Sequence, residues 1–110
     1  MVIEIYSDVV CPWCYIGKRK FEMALEQFPR RDEVEVVWRP YQLDPRAPRT
    51  PSPVADAYAK KFGGPEQASR IIDKVTEVAA EVGVEFRMDR AQRANTFDAH
   101  RVIGLDLSVV

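Results

Sequence analysis

Short apolar runs at the start of this chain give way to apolar residues recurring at helical spacing. Val2-Ile3-Glu4-Ile5-Tyr6 is mostly apolar rather than cleanly alternating, and it predicts a first, central strand. Ser7 to Val10 is the turn that follows. From Pro12 or Trp13 to Phe28, the residues Ile16, Phe21, Ala24, Leu25 and Phe28 predict the buried stripe of a helix that Pro29 stops. Val34-Glu35-Val36-Val37-Trp38 predicts a second strand. A strand, a helix of about 15 residues and another strand form a βαβ unit, which implies parallel strands and a right-handed crossover.

The character then changes. Pro40, Pro45, Pro48, Pro51 and Pro53 restrict φ and remove donors, which excludes regular helix or central sheet there. Tyr41 and Leu43 are the side chains able to pin this segment to the body. Helical character resumes near Val54 and pauses at Gly63-Gly64. Pro65 and Glu66 suit the first turn of a helix to about Val82, with Ala68, Ile71, Ile72, Val75, Val78, Ala79 and Val82 on one side and Gly83 as its C-cap. A last helix is expected near Asn95, capped by Asn95 with Asp98, and with Phe97, Ala99, Val102 and Ile103 facing inward. The chain thus divides into residues 1–45, a βαβ part, and residues 46–110, a proline-rich connection and helical region. No internal repeat is present.

Composition narrows the choices. With 110 residues, 46% of them hydrophobic, the chain is one domain at most with a modest core. Sixteen basic against seventeen acidic side chains leave a net charge of -1, which supports neither a nucleic-acid footprint nor a polybasic membrane patch. No stretch approaches the roughly 18 apolar residues of a membrane span. Glu4 follows Met1 too closely for a basic, then hydrophobic leader. The expectation is a cytoplasmic protein, where a lone cysteine pair is more often catalytic or metal-binding than a structural disulfide.

That pair is Cys11-Pro12-Trp13-Cys14, placed between the first strand and the helix. Unpaired amides of the first helical turn favour a thiolate and would lower the pKa of Cys11. A thiolate attacks a disulfide, and a second thiol within reach resolves the mixed disulfide. Cys11 is therefore read as the nucleophile and Cys14 as the resolving thiol. Pro12 sets a helical φ where no intrahelical donor is needed, and Trp13 offers an apolar platform for a bound polypeptide. Structural zinc fits poorly, since Cys11, Cys14 and His100 fall short of four ligands. No metal and no cofactor is expected.

Other residues admit two readings. Lys18, one turn beyond Cys14, can tune the thiol or simply face solvent. Asp8 can cap the helix, serve the turn or tune the thiol, though an anion there opposes a thiolate. His100, the sole histidine, invites a base or ligand role but suits a position bridging core edge and solvent. Tyr15, Trp38 and Tyr41 read as core or loop anchors or as a substrate groove. Lys60-Lys61 is a solvated helix end.

Three stretches carry a family resemblance: Ser7-Asp8-Val9-Val10-Cys11-Pro12-Trp13-Cys14-Tyr15-Ile16-Gly17-Lys18, then Trp38-Arg39-Pro40-Tyr41-Gln42-Leu43, then Asn95-Thr96-Phe97-Asp98-Ala99-His100-Arg101. Together they resemble the FrnE-like branch of the DsbA thioredoxin-fold family, the polyketide-biosynthesis dithiol-disulfide isomerases. The resemblance implies an α/β thioredoxin-like fold with a helical domain inserted after the second strand. It also implies thiol–disulfide oxidoreductase or isomerase activity on protein disulfides, with glutathione or a redox partner completing the cycle. Relatives that isomerise 2-hydroxychromene-2-carboxylate or conjugate glutathione have serine at the nucleophile position, so Cys11 and Cys14 place this chain on the dithiol side.

One departure is large. The family returns after its insertion to two more strands, a final helix and a cis-proline loop, and nothing after His100 supplies them. Pro40 and Pro45 follow the second strand too closely to match that proline. The expectation is a partial thioredoxin-like fold: the N-terminal part of a longer protein, a truncated product, or a chain relying on a partner. If the chain is naturally short, pairing into a homodimer would cover the exposed sheet edge. Two alternatives to the dithiol enzyme remain. One is a glutathione-dependent isomerase or transferase of small aromatic substrates, using Trp13, Tyr15 and Tyr41. The other is a nonenzymatic interaction module.

Overall fold

The computed structural model describes residues 1–105. In chain order the elements are β1 (Val2–Ser7), α1 (Pro12–Glu26), a 3-10 turn (Arg31–Glu33), β2 (Glu35–Pro40), β3 (Ser52–Pro53), α2 (Val54–Phe62), α3 (Pro65–Glu81), β4 (Gln92–Arg93) and α4 (Phe97–Leu105). Their contacts divide the chain into two units: Met1–Pro45 with the segment from Thr96 onward, and Arg46–Asn95. The last helix, which sequence grouping puts with the second region, belongs to the first unit.

The first unit contains the expected βαβ arrangement. β1 and β2 run parallel, with Val2 opposite Glu35 and Ser7 opposite Pro40. Backbone bonds extend the pairing at both ends, from Glu35 N–H to the Met1 carbonyl at 2.8 Å and from Tyr41 N–H to the Ser7 carbonyl at 3.1 Å. Among the described residues β1 pairs with β2, and burial along it alternates: Ile3, Ile5 and Ser7 are half-buried while Val2, Glu4 and Tyr6 are exposed.

α1 stops at Glu26, short of Phe28. Gln27 and Phe28 already bond three residues back, to the carbonyls of Ala24 and Leu25, which tightens the last turn ahead of Pro29. Cys14, Lys18, Phe21 and Leu25 share one half-buried line along the helix, and Ile16 is fully buried; Ala24, expected inside, is exposed. α4 departs further from its sequence reading. Phe97, Ala99 and Val102 are exposed, Val102 at 69%, and the inward line is Thr96, His100 and Ile103. The Asn95 side-chain amide donates to the Ala47 carbonyl at 3.1 Å. His100 N–H bonds to the Thr96 carbonyl.

The second unit follows its helical pattern closely. Val54, Ala68, Val75, Ala79, Val82 and Met88 are its buried apolar side chains. Gly63 ends α2 with φ +97°, and Gly83 follows α3 with φ +79°. At Gly83 the amides of Gly83 and Val84 reach back to the carbonyls of Ala80 and Ala79, the two bonds of a Schellman close. The sequence pattern misses β3 and β4, which pair antiparallel over two residues each. Two residues cannot show a period, and Pro53 argues against a strand except at such a short edge. Met88 also lay outside every expected stripe.

Candidate active site

Cys11 occupies the N-cap of α1 in an extended conformation, φ −93° and ψ 118°, with Pro12 in the first helical position. The Cys11 carbonyl accepts from Cys14 N–H at 3.1 Å and Tyr15 N–H at 3.4 Å. Cys14 therefore lies within the first turn, on the chain that rises directly from Cys11. Neither cysteine is joined in a disulfide, and both are half-buried. Pro12 is half-buried and Trp13 about half exposed, so the two intervening residues leave an open side to the pair.

Electrostatics at Cys11 run against the sequence expectation. Burial pushes its thiol above the ordinary value, because a thiolate there gives up hydration. The amides of Cys14 and Trp13 pull the other way, as a helix start should, while the Cys14 thiol adds to the upward shift. Desolvation, together with the Cys14 thiol, outweighs the two amides, and the net shift of Cys11 is upward.

Immediately before this turn stands a buried carboxylate. Asp8 accepts from Val9 N–H at 2.7 Å, Leu43 N–H at 2.9 Å and the His100 ring through Nε2 at 3.0 Å. The Thr96 side chain bonds it as well. Burial on its own raises the Asp8 pKa, but the donors from Leu43, Thr96, His100 and Val9 together bring it below the usual carboxylate range. Asp8 thus serves the turn and does not cap α1, whose N-cap has no side-chain hydrogen bond. Sequence reasoning singled out Asp8 and His100 separately but missed Thr96 and the Leu43 amide. The available signal was the four-residue spacing of Thr96 and His100 on one helix face.

The remaining candidates are placed more simply. Lys18 pairs with Glu22 one turn on, and its ammonium stands 5.9 Å from the centre of the Trp38 ring. Tyr15 and Tyr41 are exposed rather than core anchors, while Trp38 is half-buried. The loop after β2 is held by its backbone: Tyr41 and Leu43 expose their side chains and bond through their amides to Ser7 and Asp8. Among the described residues no group of His, Cys, Asp and Glu converges as a metal site, and no helix is long and apolar enough to cross a membrane.

Comparison with known proteins adds the wider context. A family model described as a DSBA-like thioredoxin domain matches residues 2–105. A crystal structure of a probable DsbA oxidoreductase from Streptomyces coelicolor superposes with a TM-score of 0.91 at 42% identity, covering 98% of this chain and 47% of that one. The uncharacterized protein YwbO of Bacillus subtilis (strain 168) is 44% identical over 54 residues, which are 49% of this chain and 23% of that protein. The chain therefore spans about half the length of its solved relative and matches a smaller share of the curated one.

Proposed function

The chain belongs to the DsbA-like thioredoxin-domain family, and from that membership we propose that Cys11 and Cys14 act as a redox dithiol in thiol–disulfide exchange on protein substrates. The observation that carries this reading is the placement of two thiols within one turn, the first at the N-cap of α1. In the reducing direction Cys11 loses its proton and its sulfur attacks a substrate disulfide. One substrate sulfur leaves as a thiolate and a mixed disulfide forms. Cys14 then attacks the Cys11 sulfur and expels the second substrate sulfur. Two electrons pass to the substrate, and Cys11 and Cys14 end as a disulfide. The reverse sequence oxidises a substrate dithiol, and both directions together amount to isomerisation.

Half-exposed Trp13 beside the pair supports a polypeptide substrate, since an open aromatic face can receive an extended chain. The motif around Cys11 and the stretch from Asn95 to Arg101 support the FrnE-like branch of the family. The low cysteine count supports work in a reducing compartment such as the cytoplasm, with glutathione or a partner dithiol as electron donor. Exchange assays on Cys11→Ser and Cys14→Ser test the assignment. Cys11→Ser should lose turnover, and Cys14→Ser should accumulate the mixed disulfide. Undiminished turnover by Cys11→Ser would rule the nucleophile out.

A further inference from the structure

A buried carboxylate is an expensive way to shape a turn. Asp8 exposes 1% of its side chain and its His100 partner 11%. A charge so placed persists only when donors replace its lost hydration, and an apolar filling of the same space is often at least as stable. Here the donors come from three separate stretches of the first unit: the turn itself through Val9, the loop after β2 through Leu43, and the last helix through Thr96 and His100. They meet on a residue that reaches the N-cap of α1 through Val9 and Val10 alone. Few torsions separate the fastened carboxylate from the Cys11 backbone, so the geometry available to the Cys11 sulfur depends on how that turn is held.

We propose that Asp8 and His100 are positioning residues of the cysteine pair, fixing the turn that presents Cys11 and thereby setting the equilibrium between dithiol and disulfide. The inference rests on the redox reading of Cys11 and Cys14. Closing the ring joins the two sulfurs, and its two protons and two electrons pass to glutathione disulfide, which becomes two glutathione molecules. That closure ties the Cys11 sulfur to Cys14 and so constrains the backbone of the turn that leads into Cys11. A turn held by Asp8 favours whichever state fits its fixed course, and the preference changes when the fastening is cut. By reciprocity, the redox state of the pair must also alter the environment of His100. The charged group the imidazole meets is Asp8; Asp98 and Arg101, on its own helix, pair with each other at 3.5 Å on the exposed side.

The test equilibrates the chain in glutathione buffers and counts reduced cysteines by alkylation and mass. Asp8→Asn and His100→Ala should each change the equilibrium constant in the same direction by about fivefold or more, while His100→Gln, which keeps a nitrogen near the Nε2 position, should stay within about twofold. A purely structural contact would lower the melting temperature and leave the constants together; unchanged constants in folded variants overturn the proposal. Should those variants not fold, the wild-type chain decides. The ring-proton resonances of its sole histidine, recorded in oxidised and reduced protein under one buffer condition, should differ in chemical shift, and identical shifts overturn the proposal. If wild-type chain forms no disulfide between Cys11 and Cys14 in oxidising buffer, the redox reading falls and this inference with it. If it does so and the variants match it, positioning alone is refuted.

Discussion

His100 places its Nε2 3.0 Å from Oδ1 of Asp8, so the last described helix is fastened by a polar contact to the turn that precedes the cysteines. Among the described residues the buried ones of the first unit are Asp8, Ile16 and Thr96, whereas those of the second unit are apolar. Directional hydrogen bonds to Asp8 join the turn before Cys11 to the loop after β2 and to the last helix.

Acid should weaken the chain through Asp8. Its carboxyl lies below the usual value when folded, because the donors from Leu43, Thr96, His100 and Val9 outweigh the opposing effect of burial. As pH falls below about 4, the unfolded carboxyl takes up its proton first, and the stability that Asp8 contributes drains toward its folded pKa. Asp8→Asn should cost about 2–3 kcal/mol at neutral pH, the scale of hydrogen bonds to a charged group. Urea unfolding at pH 7 and pH 3 should show the gap between wild type and variant narrowing in acid. A gap that stays constant would contradict the assignment.

The reduced pair should respond to alkali in the opposite sense. Burial raises the Cys11 thiol, so the unfolded chain ionises first as pH climbs past about 8.5 and the share of stability owed to Cys11 is lost above that point. Iodoacetamide labelling, resolved for each cysteine by mass, should give a rate midpoint for Cys11 above that of the same residue in urea. A midpoint at or below the unfolded one would mean that the helix amides prevail.

Two glycines should answer alanine in opposite ways. Gly83 has φ +79°, where a Cβ is disfavoured, so Gly83→Ala should destabilise by about 1 kcal/mol. Gly17 lies within α1, and a Cβ built there meets nothing within 4 Å. Gly17→Ala should therefore stabilise by about 0.5–1 kcal/mol. Urea midpoints of the two variants measure both, and a shared sign would be inconsistent with these backbone assignments.

Val75 tests the apolar core of the second unit. Its side chain is 1% exposed on the inward line of α3, and Val75→Ala removes two carbons without a replacement. Transfer and cavity costs together predict a loss of about 2 kcal/mol. The exposed Glu77→Ala on the same helix should change stability by less than about 0.5 kcal/mol. Chemical unfolding of both, followed by circular dichroism, makes the comparison.

What the sequence made legible depended on whether local pattern and tertiary need agreed. The βαβ start, the α3 stripe from Ala68 to Val82 and the Gly83 close each follow from spacing or backbone preference, and all are found. α4 shows the opposite case. Its apolar residues suggested an inward line of Phe97, Ala99, Val102 and Ile103, yet of these only Ile103 is half-buried, and the segment turns Thr96 and His100 inward, where they donate to Asp8. No local pattern announces that contact, since the acceptor lies far earlier in the chain. The candidate cysteines were legible from their spacing, but the direction of the Cys11 pKa was not: it depends on burial, which motif context does not supply.

Synthesis order gives the Asp8–His100 contact a timing of its own. The two residues are 92 positions apart. At about 5–20 residues per second, roughly 5–20 s pass between their appearances on a growing chain. Cys11 and Cys14 are made near the beginning of that interval. A nascent chain can therefore acquire a disulfide before His100 has been synthesised, in a ring whose closure the finished fold did not govern.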